Sequence, residues 1–308
     1  MDVVPFRWLL GGGGGGGSGG RQPRCAPLVL VLVHSATAHA EHRRLIRDTW
    51  GSWGSAGRDV LVRFLVGLPA TSEEQATLEE EAAAHGDLVQ GNFVDAYRNM
   101  TYKHVMALKW FATRCPDATY VLKVDDDVLV NTPVLLDFVW RTLSPFGARR
   151  LLACSVLTGS LPKRSYRSKW RVSFKEYSRA MYPRYCAGWA VLYSPDVAMR
   201  LYREMQGEPF FWIDDVLVTG LLPERLGITH VSWASLFLKP ADLQFVLAGE
   251  VRPSFMLALW ENVGMDMDDQ RVIWRRILDD EIANSSASYV ATVSDKERLR
   301  QSSPTRVR

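Results

Sequence analysis

The chain has 308 residues, 47% of them hydrophobic, which suffices for one full core or two closely joined ones. Its formal net charge of +3 is too small for a general nucleic-acid binder. Cys25, Cys115, Cys154 and Cys186 show no C-x-x-C spacing, which argues against a tetrahedral zinc site; they fit either reduced thiols or two disulfides.

Residues 1–24 hold a short apolar patch, Val3 to Leu10, broken by Pro5 and Arg7, then a glycine run to Gly20. The patch is too short to span a bilayer and lacks the basic start and long apolar centre of a signal peptide. Residues 1–24 therefore read as a disordered leader, 25–265 as the main domain, and 266–308 as a C-terminal helix and polar tail. Leu28 to Val33 is a continuous β-rich run, as in a parallel strand covered on both faces. Ala40 to Trp50 reads as a helix, and Val60 to Val66 as a second strand. Thr71 or Ser72 caps a helix that runs to His85 and stops at Gly86; Glu74 suits a cap at Thr71. Asp87 to Gln90 is a short strand and Thr101 to Ala112 a helix. Tyr120 to Val124 is a strand that ends in three aspartates, followed by a helix after Pro133 and a strand near Leu151. This order predicts an α/β fold with a mainly parallel sheet, whose ligands sit at the carboxyl ends of the strands.

Asp125, Asp126 and Asp127 stand at such an end. Adjacent carboxylates repel unless a cation or strong donors compensate. Hard oxygen ligands suit Mg2+ or Mn2+, which keep positions open for phosphate oxygens. Alone, the trio also reads as a solvated acidic turn, but it is flanked by the apolar runs Tyr120–Val124 and Val128–Val130.

The sequence here resembles the animal β-1,3-galactosyltransferase and β-1,3-N-acetylglucosaminyltransferase family. Seven stretches carry the resemblance in family order. They are Arg43 to Gly51, Phe64 to Gly67, Asp87 to Lys103, Lys123 to Asn131, Ser168 to Ser173, Tyr182 to Gly188, and Ile213 to Gly220. The resemblance implies a GT-A fold and an inverting, metal-dependent Golgi enzyme. It would take a UDP-sugar donor and a glycan, glycoprotein or glycolipid acceptor, with no nucleic-acid partner. It also implies membrane association, although no anchor is visible in this chain.

Site residues follow from the resemblance and the chemistry together. Asp127 is the first choice as metal ligand, with Asp125 beside it and toward the sugar or ribose, and Asp126 toward the nucleotide. Asp215 is the expected base that deprotonates the acceptor hydroxyl, supported by Asp214; the alternative is that both only cap a helix. The resemblance also places Ser35, Arg43, Arg47 and Lys103 near the nucleotide. Lys123 and Ser168-Lys-Trp170 favour galactose over N-acetylglucosamine as the donor sugar. The basic run from Lys163 to Lys175 reads mostly as a solvated face, with one or two of its cations attracting the anionic donor. Gly249 aligns with the family's late metal-binding His, so either Glu250 supplies an oxygen ligand instead or the metal is held more weakly, with His230 the remaining imidazole candidate; a non-catalytic glycan- or partner-binding relative is the alternative function. Leu222 stands where the family commonly has Cys, and Cys115 is expected to pair with Cys186. Asn99-Met-Thr101 and Asn284-Ser-Ser286 are glycosylation acceptors if the chain is secreted.

Overall fold

Every side chain from Val29 to His34 is buried, and a strand covered on both faces needs neighbours along both edges. In the computed structural model, which describes residues 7–11, 25–53 and 59–283, it has them. The strands are β1 (Trp8–Leu10), β2 (Val29–His34), β3 (Val60–Leu68), β4 (Leu88–Val94), β5 (Tyr120–Asp125), β6 (Val128–Val130), β7 (Leu152–Leu157), β8 (Tyr185–Tyr193), β9 (Val231–Ser232) and β10 (Leu257–Leu259). One sheet runs β1-β4-β3-β2-β5-β8-β7-β9, and β6 pairs with β10 separately. The segment β4-β3-β2-β5 is parallel, whereas β8 lies antiparallel to both β5 and β7.

Helices connect and cover the sheet: α1 (Ala40–Asp48), α2 (Ser72–His85), α3 (Met100–Arg114), α4 (Thr132–Phe138), α5 (Pro195–Glu204), α6 (Asp214–Val216), α7 (Leu222–Leu226), α8 (Leu243–Ala248), α9 (Trp260–Val263) and α10 (267–283). Alternation along β2 sorts side chains into two layers. Val31 and Val33 join Leu122, Val124 and Trp50 on one face. Leu30 and Leu32 join Val105, Leu108 and Phe111 of α3 on the other. Ile273, Trp274 and Ile277 of α10 enter the first layer, so this helix belongs to the main core. Thr71 is the α2 cap, its hydroxyl accepting from the Glu74 amide at 3.2 Å, and Gly86 ends the helix at φ 66°.

Two expectations are corrected. The leader holds an ordered piece: Trp8–Leu10 pairs antiparallel with β4, and the Trp110 indole donates to the Gly11 carbonyl at 3.2 Å. The cysteines pair as Cys25–Cys115 and Cys154–Cys186, with no Cys115–Cys186 bond. The reason is topological. Cys25 precedes β2 and Cys115 follows α3, where backbone bonds to Pro27 and Leu28 bring the two segments together, while Cys154 and Cys186 lie on adjacent strands. Leu222, where the resemblance leads one to expect a Cys, is a buried apolar residue. Asn284 lies outside the described residues.

Candidate active site

Strand β5 carries Asp125 to the carboxyl edge of the parallel segment, level with His34 of β2. The Lys123 ammonium, almost fully buried, bonds Asp125 at 2.6 Å and also donates to the Gly188 carbonyl. Burial pushes the Asp125 carboxyl up, opposed by the Lys123 charge. Asp126 turns the other way. Its Oδ2 accepts from the Ser35 hydroxyl at 2.7 Å and pairs with His39 Nδ1 at 2.9 Å. Burial acts to raise its pKa, but these hydrogen bonds outweigh it and hold Asp126 below the ordinary carboxylate value.

Asp127 has the least company. Its Oδ1 is buried without a hydrogen-bond partner, and burial, with the charges of Asp125 and Asp126, raises its pKa to about 6. A hard divalent cation fits this donor, because it would satisfy the orphaned oxygen and relieve the crowded negative charge. Asp125 and Asp127 both line a cleft of about 520 Å³. Among the described residues no three His, Cys, Asp or Glu side chains form a metal cage of their own.

Asp214 and Asp215, at the start of α6, line the same cleft. Their environments differ sharply. Asp214 Oδ2 pairs with His104 Nδ1 at 2.9 Å, and His104 Nε2 meets the Tyr193 hydroxyl at 3.0 Å. Against the upward push of burial, the His104 bond and the charges of His104 and Lys123 keep Asp214 below its ordinary value. Asp215 lacks the histidine. Burial first, and then the Asp214 charge, lift its pKa well above the ordinary range. The two neighbouring carboxyls are thus shifted in opposite directions by their surroundings. Gly188 of β8 makes the room: a Cβ there would sit 1.9 Å from Asp215 Oδ1.

The basic residues expected at the nucleotide face inward. Arg43 is fully buried and donates to Glu81, Ser35 and the carbonyls of Ala36 and Thr37. Arg47 pairs with Asp87 and Glu81. Lys103 bonds both oxygens of Asp95 and the Ser35 carbonyl. Ser35 itself is buried against Asp126. Arg43, Lys103 and Ser35 brace the loop after β2, Arg47 ties α1 to Glu81 and Asp87, and none of the four lines the cleft. Late in the chain, Gly249 caps α8 at φ 79° beside Arg276, and neither Gly249 nor Glu250 borders the cleft. His230 bonds the Thr219 carbonyl instead. The late carboxylate that does reach the cleft is Glu261, brought there because β10 pairs with β6 and the Trp260 amide bonds the Asp127 carbonyl at 3.2 Å. His39, His42 and Trp260 stack in series beside Asp126. The sequence signal for this stack was the His39-x-x-His42 spacing at the start of α1, one helical turn apart.

One cleft thus gathers Asp125, Asp127, Asp214 and Asp215, and by its similarity to known galactosyltransferases the chain is a hexosyltransferase. It belongs to the galactosyltransferase family, whose model matches residues 41–234. It is 33% identical over 203 residues to beta-1,3-galactosyltransferase 5 of Pan troglodytes, covering 66% of this chain and 67% of that protein. It is 34% identical over 257 residues to human N-acetyllactosaminide beta-1,3-N-acetylglucosaminyltransferase 2, covering 78% and 64%. It is 38% identical over 208 residues to human acetylgalactosaminyl-O-glycosyl-glycoprotein beta-1,3-N-acetylglucosaminyltransferase, covering 65% and 53%. The chain thus spans between about half and two thirds of the curated relatives it matches. Among solved structures, a galactosyltransferase LgtC complex with donor and acceptor sugar analogs aligns at a TM-score of 0.40 and 12% identity, covering 80% of this chain and 95% of that one.

Proposed function

We propose that the chain is an inverting, metal-dependent β-1,3-glycosyltransferase that moves a hexose, galactose by preference, from a UDP-sugar to a glycan hydroxyl. The observation that supports this most is the pair Asp214 and Asp215, the first tied to His104 and the second without such a partner, in a cleft that also holds Asp127. Asp127 and Asp125 would hold Mn2+ or Mg2+, which when bound supplies Lewis-acid stabilisation of the departing diphosphate. The remaining work falls to the protein. Asp215 takes the proton of the acceptor hydroxyl as that oxygen bonds to the anomeric carbon. The bond from that carbon to the UDP oxygen breaks on the opposite face, and the configuration inverts. Asp214, tied to His104, stays anionic, and its charge raises the basicity of Asp215. Lys123 fixes Asp125 and the Gly188 backbone against which Asp215 rests.

Two of the relatives named above carry N-acetylglucosaminyltransferase activity in their names, so UDP-N-acetylglucosamine is the second donor reading. A Golgi setting is the natural one for such an enzyme, and two disulfides accord with an oxidising compartment. Among the described residues no helix is long and apolar enough to cross a membrane. The test is product analysis. Incubation with UDP-galactose or UDP-N-acetylglucosamine, Mn2+ and galactose- or N-acetylglucosamine-ended acceptors should give a β-1,3 product by NMR. An α-linked product, or donor hydrolysis without transfer to any acceptor, would contradict the proposal.

A further inference from the structure

Charge is unevenly distributed in this molecule. The whole chain carries a formal net charge of +3, yet residues 158–184 alone hold eight Lys or Arg and a single acid, Glu176. This segment crosses from β7 to β8 and walls the cleft through Leu161, Lys163, Trp170 and Tyr182. Some of its cations are spent internally: Arg164 donates to the carbonyls of Val172, Tyr177 and Arg179, and Arg179 pairs with Glu224. Among the described residues no salt bridge engages Lys163 or Lys169; Arg171 lies over the Tyr166 ring with its charge felt by Glu176, and its Nε is buried without a hydrogen bond. The cleft floor, by contrast, is acidic, with Asp125, Asp127, Asp214, Asp215 and Glu261.

Aromatic rings accompany these cations. Trp170 Nε1 donates to the Tyr97 hydroxyl at 2.5 Å, and the Lys169 ammonium lies 4.4 Å from the Trp170 ring and 5.9 Å from that of Tyr97. Both rings remain about half exposed, at 44% and 55%. Tyr97 and Trp170 line the same cleft as Asp215, which must face the acceptor hydroxyl. Exposed aromatic faces suit the apolar C–H faces of sugar rings, and unpaired cations beside them suit an acidic substituent. The donor diphosphate is the other anion in the reaction, but its expected partner is a cation held at the Asp125–Asp127 strand end.

We propose that the acceptor of this enzyme is an anionic glycan, bearing a sulfate or carboxylate, whose sugar ring stacks on Tyr97 and Trp170 while Lys169, Lys163 and Arg171 hold its acidic group. This rests on the transferase reading above. The test uses oligosaccharide acceptors identical except for the group on the sugar next to the accepting ring: neutral, sulfated or uronate. At low salt the anionic acceptors should have a KM about tenfold lower, as two or three partly exposed ion pairs would give, and 300 mM salt should erase most of the gain. The sulfated and uronate arms show which anion is preferred. Lys169→Gln should raise KM for the anionic acceptor several-fold with donor KM held, and Lys169→Arg should restore it. Equal KM for neutral and anionic acceptors would overturn this inference and leave the transferase reading standing. A rise in donor KM alone would also overturn it, assigning the loop to the diphosphate. If no acceptor is used at all, the transferase reading fails. Saturation-transfer NMR with the sulfated oligosaccharide still decides the loop in that case: binding lost in Lys169→Gln supports it, and no binding overturns it.

Discussion

Gly188→Ala is the most revealing single change, because it reaches the proposed base without altering a titrating group. The new methyl would sit 1.9 Å from Asp215 Oδ1 and 2.4 Å from its Cγ, where ordinary contact begins at 3.4 Å. The carboxyl must therefore retreat by about 1.5 Å, the difference between those two distances. Gly188 lies within β8 between Cys186, paired with Val156, and Ala190, paired with Val124, where the β7 pairing shifts register. A misplacement of about 1 Å in a reacting group costs roughly a hundredfold in rate. We expect kcat for transfer to fall about a hundredfold or more, while UDP affinity in Mn2+ changes by less than about threefold. Overpacking should also lower stability by about 1–3 kcal/mol, visible as a reduced melting temperature. Steady-state kinetics by UDP release, with UDP titration by calorimetry, separates these effects. A folded Gly188→Ala enzyme with kcat within about threefold of wild type would refute the placement of Asp215 as base.

Other outcomes follow from the same geometry. Asp215→Asn should reduce kcat by about a hundred- to ten-thousandfold with UDP binding kept, whereas Asp214→Asn should act more on acceptor KM and folding. Because the base works deprotonated and its pKa is raised, kcat/KM in the wild type should fall with decreasing pH through a value above the usual carboxylate range; a flat profile down to pH 4 would contradict this. His104→Leu leaves the Asp214 carboxylate buried without its partner and should cost about 3–5 kcal/mol in denaturant unfolding at pH 7. Asp214 is depressed in the folded state, so its contribution is present above the unfolded value and lost as pH falls through the folded one; the His104→Leu penalty should shrink at acid pH. Non-reducing peptide mapping should recover Cys25–Cys115 and Cys154–Cys186. By loop entropy the first, closing 90 residues, should stabilise by about 4–5 kcal/mol, and the second, closing 32, by slightly less. Free thiols in the map would count against both.

The strands that place the acidic trio were legible because their signals are local. Leu28–Val33 and Tyr120–Val124 are unbroken apolar runs, and the aspartates mark where the second one leaves the core. Thr71, Glu74 and Gly86 bracket α2 by rules of a single turn. What was not legible depended on distant partners. Arg43, Arg47 and Lys103 announce positive charge, but the acids that absorb it, Glu81, Asp87 and Asp95, come from other elements. Pairing of Cys186 with Cys154 requires knowing that β8 returns antiparallel between β5 and β7, and the Cys-Ala-Gly-Trp start of β8 gives no strong strand pattern. Trp8–Leu10 was masked by the glycine run that follows, since three residues form a strand only when β4 offers an edge. Glu261 reaches the cleft through the β6–β10 pairing, which no spacing near Gly249 reveals.

The central claim is that the acidic end of β5 holds a divalent cation against the donor diphosphate, and UDP affinity with and without that cation tests it most directly. Calorimetric titration of UDP into the wild-type protein should show binding at least tenfold tighter in Mn2+ than in chelator. In Asp127→Ala, whose orphaned Oδ1 is gone, the two titrations should coincide. Equal UDP affinity in Mn2+ and chelator for the wild type, or an undiminished Mn2+ gain in Asp127→Ala, would contradict the account.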